Sequence, residues 1–128
     1  MPISKRLYLL LAIIWLTTIS VLLVIPGSAF PSENWMSKIQ LDKWVHIFLF
    51  AILVTVWVKG LWKNYPTLFI YAKLSFWIAI LAVIYGICME LVQHYFVLNR
   101  SFELNDILAD LIGSLIGYLL VMKGYIKK

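Results

Sequence analysis

Long apolar runs alternate with short polar breaks along this chain. The first run, Leu7 to Ile25, follows Lys5 and Arg6. Three more runs cover about 44–62, 74–97 and 107–122, and the breaks hold Pro26, Gly27 and Pro31, then Gly60 and Pro66, then residues 99–105. Each run approaches the roughly 20 residues that a helix needs to cross a bilayer. Open sheet cannot satisfy its backbone in lipid. The pattern therefore predicts an all-α, polytopic four-transmembrane-helix bundle forming one domain over 1–128, with helices at about 7–25, 44–62, 74–97 and 107–122. A cleaved signal peptide would begin in the same way, and Gly27-Ser28-Ala29 offers small residues for cleavage. The 19 residues of the first run exceed the roughly 7–15 of a signal core, so an uncleaved first transmembrane helix is expected. No internal repeat or low-complexity segment is visible.

Composition narrows the class further. The chain is 63% hydrophobic and 13% charged, with a mean hydropathy of +0.93. Soluble domains run near 45–50% and about 25%, so a water-soluble globule, a disordered chain and a nucleic-acid binder are all excluded. Cys88 alone provides neither a disulfide framework nor a thiolate metal motif. With the N-terminus cytoplasmic, Lys5, Arg6, Lys59, Lys63, Lys73, Lys123, Lys127 and Lys128 fall inside, and Lys38, Lys43 and Arg100 fall outside. Eight basic residues against three satisfy the positive-inside rule and place both termini in the cytoplasm. The formal charge of +5 is then an expression of topology. Aromatic residues fit the same frame, with Trp57, Trp62, Tyr65 and Trp77 toward the inner interface and Trp35, Trp44, Tyr95 and Phe96 toward the outer one.

On that topology all six carboxylates (Glu33, Asp42, Glu90, Glu103, Asp106 and Asp110) and both histidines lie on the outer half. Helical spacing gathers them. Asp42 and His46 are i,i+4 and share a face if the helix includes Asp42. Glu90, Gln93 and His94 follow i, i+3, i+4, with Gly86 one turn below. Asp106 and Asp110 are i,i+4, and Gly113-x-x-x-Gly117 continues their stripe, a spacing that lets a second backbone come close. The uninterrupted apolar stretches 47–58 and 111–122 are 12 residues each. They measure about 18 Å against a hydrocarbon thickness of roughly 30 Å. Some polar residues, His46, Glu90 and Asp110 among them, are thus expected below the outer hydrocarbon boundary, in an outward-opening cup. Plainer roles exist for many of these groups. Lys43, Arg100 and Glu103 read as interfacial charges, Asp106 as a carboxylate at a positive helix start, and a single histidine as a structural one. Glu90 and Asp110 resist this treatment, because intramembrane carboxylates are costly and face interiors.

In order and spacing, Asp42-Lys43-x-x-His46, Glu90-x-x-Gln93, Arg100 and Asp106-x-x-x-Asp110-x-x-Gly113-x-x-x-Gly117 resemble the VanZ-like family of bacterial integral membrane proteins. Asp110 stands where members commonly carry Asn, and a proline often found shortly before the arginine is absent. The resemblance implies a multi-pass protein of the bacterial cytoplasmic membrane, linked to the cell envelope and to resistance against glycopeptides of the teicoplanin type. It also implies that the family's polar positions fall on Asp42, Lys43, His46, Glu90, Gln93, Arg100 and Asp106.

Counting Asp42, Glu90, Glu103, Asp106 and Asp110 against Lys43 and Arg100 leaves the cup with a formal charge of −3. Such a cup suits a cationic or amine-bearing guest, a bound metal, or carboxylates that hold protons. The leading expectation is a binding module that takes membrane lipids, a lipid-linked cell-wall precursor or a glycopeptide antibiotic through Asp42, Lys43, His46, Glu90, Gln93, His94, Arg100, Asp106 and Asp110. It requires no cofactor and no nucleic acid. The alternative is a membrane-embedded hydrolase or transferase acting on a lipid head group, with His46, Glu90, Asp106 and Asp110 in acid–base or metal chemistry. No zinc motif such as H-E-x-x-H is present. The polar groups stop halfway across the bundle, which speaks against a transport path. Glu90 and Arg100 are singled out as a functional pair, with the guanidinium expected to fold back over the mouth toward the carboxylate.

Overall fold

The computed structural model describes residues 3–29, 40–61 and 67–127. Trp35, Lys38, Trp62, Lys63, Tyr65 and Lys128, which bear on the topology, and the outer carboxylate Glu33 lie outside the described residues. Four helices long and apolar enough to cross a membrane make up the fold, α1 (Lys5–Leu23), α2 (Leu41–Leu61), α3 (Leu68–Phe96) and α4 (Leu104–Ile126), and no strand occurs among the described residues. A 3-10 turn, Gly27–Ala29, follows α1.

The ends of the helices follow local chemistry. Ser4 caps α1, its hydroxyl accepting from Leu7 N–H at 3.2 Å, and Thr67 caps α3 by accepting from Ile70 N–H at 3.3 Å. The Thr67 cap starts α3 six residues ahead of the apolar run that predicted it and draws Lys73 into the helix. Its 29 residues measure about 44 Å, well beyond a hydrocarbon layer of roughly 30 Å. Helix α4 likewise outgrows its apolar run at both ends, over 104–126. Helix α2 begins at Leu41 and so brings Asp42 and Lys43 into its first turn. Gln40 immediately before it adopts a left-handed φ of 49°, and Asn99, just after α3, one of 57°. Asn tolerates that conformation better than most residues.

Helix α2 is the hub. It packs most extensively on α4 and then on α1, and α3 packs chiefly on α4. The core is built from Ile19 and Leu23 of α1, Leu49, Phe50, Leu53, Val54 and Val58 of α2, Tyr71, Ala79 and Ala82 of α3, and Val121 of α4. The opposite faces are apolar too. Leu10, Phe69, Leu81, Leu115 and Leu119 are all more than half exposed, as lipid-facing residues are. Thr17 and Thr18 on the outer face of α1 return their hydroxyls to the carbonyls of Ile13 and Ile14 at 2.9 Å, which leaves no unpaired O–H for the lipid.

Gly113 and Gly117 form the seam between α2 and α4. A Cβ on Gly113 would lie 2.9 Å from Ile47 Cα, and one on Gly117 would lie 2.8 Å from Val54 Cβ. Only a missing side chain permits this approach. Trp15 Nε1 donates to the Leu49 carbonyl at 3.0 Å and the Ser20 and Tyr85 hydroxyls meet at 2.7 Å, fastening α1 to α2 and α3. With neighbours antiparallel, the α1 C-terminus, α2 N-terminus, α3 C-terminus and α4 N-terminus meet at one end of the bundle.

Candidate functional site

At that end the seam between α2 and α4 continues into a polar cluster of two tiers. The outer tier centres on Lys43. Its Nζ donates to Asp42 Oδ2 at 2.6 Å, to Glu103 Oε2 at 2.5 Å and to Asp106 Oδ1. One ammonium has three N–H bonds, and each of them here meets a different carboxylate. The surroundings are graded. The Asp42 and Glu103 side chains are half-exposed, whereas Lys43 retains 14% and Asp106 7% of its side-chain exposure.

One turn deeper, the inner tier is buried. His46 Nδ1 lies 2.7 Å from Asp110 Oδ1, and His46 Nε2 lies 3.8 Å from Asp106 Oδ2. Phe50 backs the imidazole in a parallel stack with centroids 6.5 Å apart, and Tyr85 stands beyond it. The carboxylate of Glu90 enters from α3, its Oε2 accepting from the Glu103 backbone N–H at 3.1 Å. That bond serves one of the free N–H groups at the start of α4, where Glu103 is the N-cap residue and makes no side-chain cap. Asp110 reaches α3 at Gly86, where any Cβ would collide with Asp110 Oδ2. Glu90 and Asp110 are each 1% exposed. Oδ2 of Asp110 has no hydrogen-bond partner among the described residues.

Two of the sequence candidates have backbone partners on the first helix and the segment after it. Gln93 Nε2 donates to the Leu23 carbonyl at 2.8 Å, and Arg100 Nε to the Ile25 carbonyl at 3.3 Å. These carbonyls are left over as α1 ends. Gln93 and Arg100 thereby pin the exit of α1 against the cluster. Glu90 and Arg100, expected as a pair, each hold a different backbone group. His94 takes another direction altogether. It is exposed and sits edge-on to Tyr95, centroids 4.7 Å apart. Asp42, Lys43, His46, Glu90, Asp106 and Asp110 are brought together; His94 is not.

Glu103 carries more of the site than the sequence suggests, through its carboxylate on Lys43 and its N–H on Glu90. Its position three residues before Asp106 is the signal that could have marked it. A groove of about 530 Å³ lies along the α2–α4 surface, between Trp44, Ile47, Phe48 and Ala51 on one side and Ile116 and Leu120 on the other. It is almost wholly apolar, and its uppermost residue, Trp44, follows Lys43 directly. Trp44 is thus the link in sequence between the polar cluster and a slot of alkyl-chain character.

The family model described as VanZ/LLP1 matches residues 6–126. No curated protein and no solved structure matches the chain.

Proposed function

The chain belongs to the VanZ/LLP1 family, and on that premise we propose that it binds an envelope amphiphile by an amine-bearing head at the outer face of the bacterial cytoplasmic membrane. The protein is a multi-pass membrane protein of four apolar helices. The outward orientation rests on the eight-to-three excess of basic residues at the opposite end.

One observation carries the reading. The chain's own ammonium, Lys43 Nζ, is caged by Asp42, Glu103 and Asp106, and the next residue, Trp44, lines an apolar groove. A cage that fits one primary amine fits another. Three carboxylates hold this ammonium and two more, Glu90 and Asp110, lie in the tier below, so the cluster keeps an excess of negative charge when a guest amine enters beside Lys43 or displaces it. Alkyl chains would lie in the groove below Trp44. Tolerance of a teicoplanin-type glycopeptide would follow if antibiotic and envelope lipid compete for the seat.

The test uses the full chain in nanodiscs of zwitterionic lipid, with radiolabelled hexadecylamine and hexadecyl sulfate as probes. The amine is expected to bind at least tenfold more tightly than the sulfate. The paired substitution Asp42→Asn and Glu103→Gln should erase that preference and leave folded protein, because both side chains are half-exposed. In susceptible bacteria the same variant should lose any teicoplanin tolerance conferred by the wild type. Equal affinity for the two amphiphiles would refute the proposal.

A further inference from the structure

The inner tier has a geometry of its own. His46, Glu90 and Asp106, one from each of α2, α3 and α4, present ligand atoms within 4.8 Å of one another, and all three residues are at most 5% exposed. The edge between His46 Nε2 and Asp106 Oδ2 is 3.8 Å. A tetrahedral ion with bonds of roughly 2.0–2.1 Å has ligand–ligand edges of about 3.4 Å. Small rotations of the side chains would close the difference. We propose that His46 Nε2, Glu90 and Asp106 hold a divalent transition-metal ion, with Asp110 as the residue that orients the histidine.

Three features favour an ion here. The first is the histidine's other nitrogen. An ionised carboxylate only accepts, so the 2.7 Å contact to Asp110 Oδ1 puts the proton of a neutral imidazole on Nδ1 and leaves a lone pair on Nε2 facing the carboxylates. Metal-binding histidines are held in this way by a carboxylate behind the ring. The second is the orphaned oxygen. Asp110 Oδ2 is buried without a hydrogen-bond partner among the described residues, seated over Gly86 one turn beneath Glu90. A positive charge above it would offset that burial. The third is the disposition of charge. Lys43 serves the outer face of Asp106 through Oδ1, leaving Oδ2 turned toward His46. Buried carboxylates need paired charge or a metal. One imidazole and two carboxylates suit zinc or manganese better than magnesium or calcium, whose ligand shells are oxygen alone.

This inference goes beyond the amphiphile reading and does not depend on it, since the outer cage and the inner triad use different groups apart from the two oxygens of Asp106. The experiment is direct metal binding to the full chain in detergent, stripped with chelator and titrated with Zn²⁺ and, separately, Ca²⁺ against a chromophoric competitor. One equivalent of Zn²⁺ should bind at least a hundredfold more tightly than Ca²⁺. His46→Gln, Glu90→Gln and Asp106→Asn should each weaken Zn²⁺ by at least tenfold, Asp110→Asn by about 10- to 100-fold, and His94→Ala not at all. Should the buried variants fail to fold, Mn²⁺ bound to the wild type decides the matter by electron spin-echo modulation, which should report one directly coordinated imidazole nitrogen. Wild-type protein that takes up no stoichiometric Zn²⁺, folded triad variants with unchanged affinity, or bound Mn²⁺ without a nitrogen coupling would each overturn the site. Loss of hexadecylamine binding with Zn²⁺ uptake intact would strike only the amphiphile reading.

Discussion

Replacing Lys43 by Met removes the one ammonium of the outer tier while keeping most of the stem that packs there. The three ion pairs broken by this change differ in weight. Asp42 and Glu103 have side chains 53% and 48% exposed, so solvent screens them, and each pair contributes about 0.2–1 kcal/mol. Asp106 is 7% exposed. Stripping one partner from a buried ion pair costs about 3–5 kcal/mol, most of it from the charge left behind. Lys43→Met should therefore lower the unfolding free energy by about 3–5 kcal/mol, and adding Asp106→Asn should recover at least half of that loss. Double-mutant cycles separate the pairs. The Lys43–Asp106 coupling should reach about 2–3 kcal/mol and the Lys43–Asp42 coupling stay below about 1 kcal/mol. Reversible unfolding in mixed detergent micelles, with chelator present throughout, supplies the free energies. A coupling to Asp42 that equals or exceeds that to Asp106 would refute the grading of the site by burial, as would a Lys43→Met variant within about 1 kcal/mol of wild type.

Two other predictions follow from packing and orientation. Gly86→Ala forces the Asp110 carboxylate off α3 and away from His46, and should cost about 1–3 kcal/mol and move the His46 side-chain nitrogen resonances. Gly124→Ala meets nothing within 4 Å and should be neutral or stabilising by up to about 1 kcal/mol; unfolding free energies that move together would contradict this contrast. In a Cys88→Ser background, an impermeant maleimide applied to intact cells should label Asn99→Cys and spare Gly124→Cys, and the reverse pattern would turn the site to the cytoplasm.

Much of the site could be read from spacing because three of its walls are single helical faces. Asp42 with His46, and Asp106 with Asp110, are i,i+4 pairs, and Gly113 with Gly117 declares the contact face of α4. The same rule misled at His94. Residues 90, 93 and 94 share one side of α3, but at 100° per residue Gln93 and His94 stand on opposite shoulders of Glu90. Its buried arc runs through Ala79, Ala82, Gly86, Glu90 and Gln93, leaning to the shoulder His94 does not occupy. Periodicity gives the face and not its centre. The partners of Arg100 and Glu103 were illegible for another reason. They lie where the chain turns between α3 and α4, and the contacts made there use backbone groups with no residue-specific signature: Arg100 Nε reaches the Ile25 carbonyl, and Glu103 offers its own N–H to Glu90. A ligand triad drawn one residue from each of three helices leaves no linear motif either.

The seam between α2 and α4 also has a bearing on biogenesis. Helix α4 emerges from the ribosome after the other three helices, bearing Asp106 and Asp110 near its start. An aspartate at the middle of a helix raises its apparent insertion free energy by roughly 2.5–3.5 kcal/mol, and by less toward the ends. The groups that offset this burden, Lys43 and His46, belong to a helix synthesised some sixty residues earlier. Insertion of α4 is then an assisted event, in which α2 must still stand at the exit of the insertion machinery, glycine seam open, to receive it. A chain stopped before Leu104 would leave Lys43 without Asp106 and His46 without Asp110, a species suited to recognition by membrane quality-control proteases.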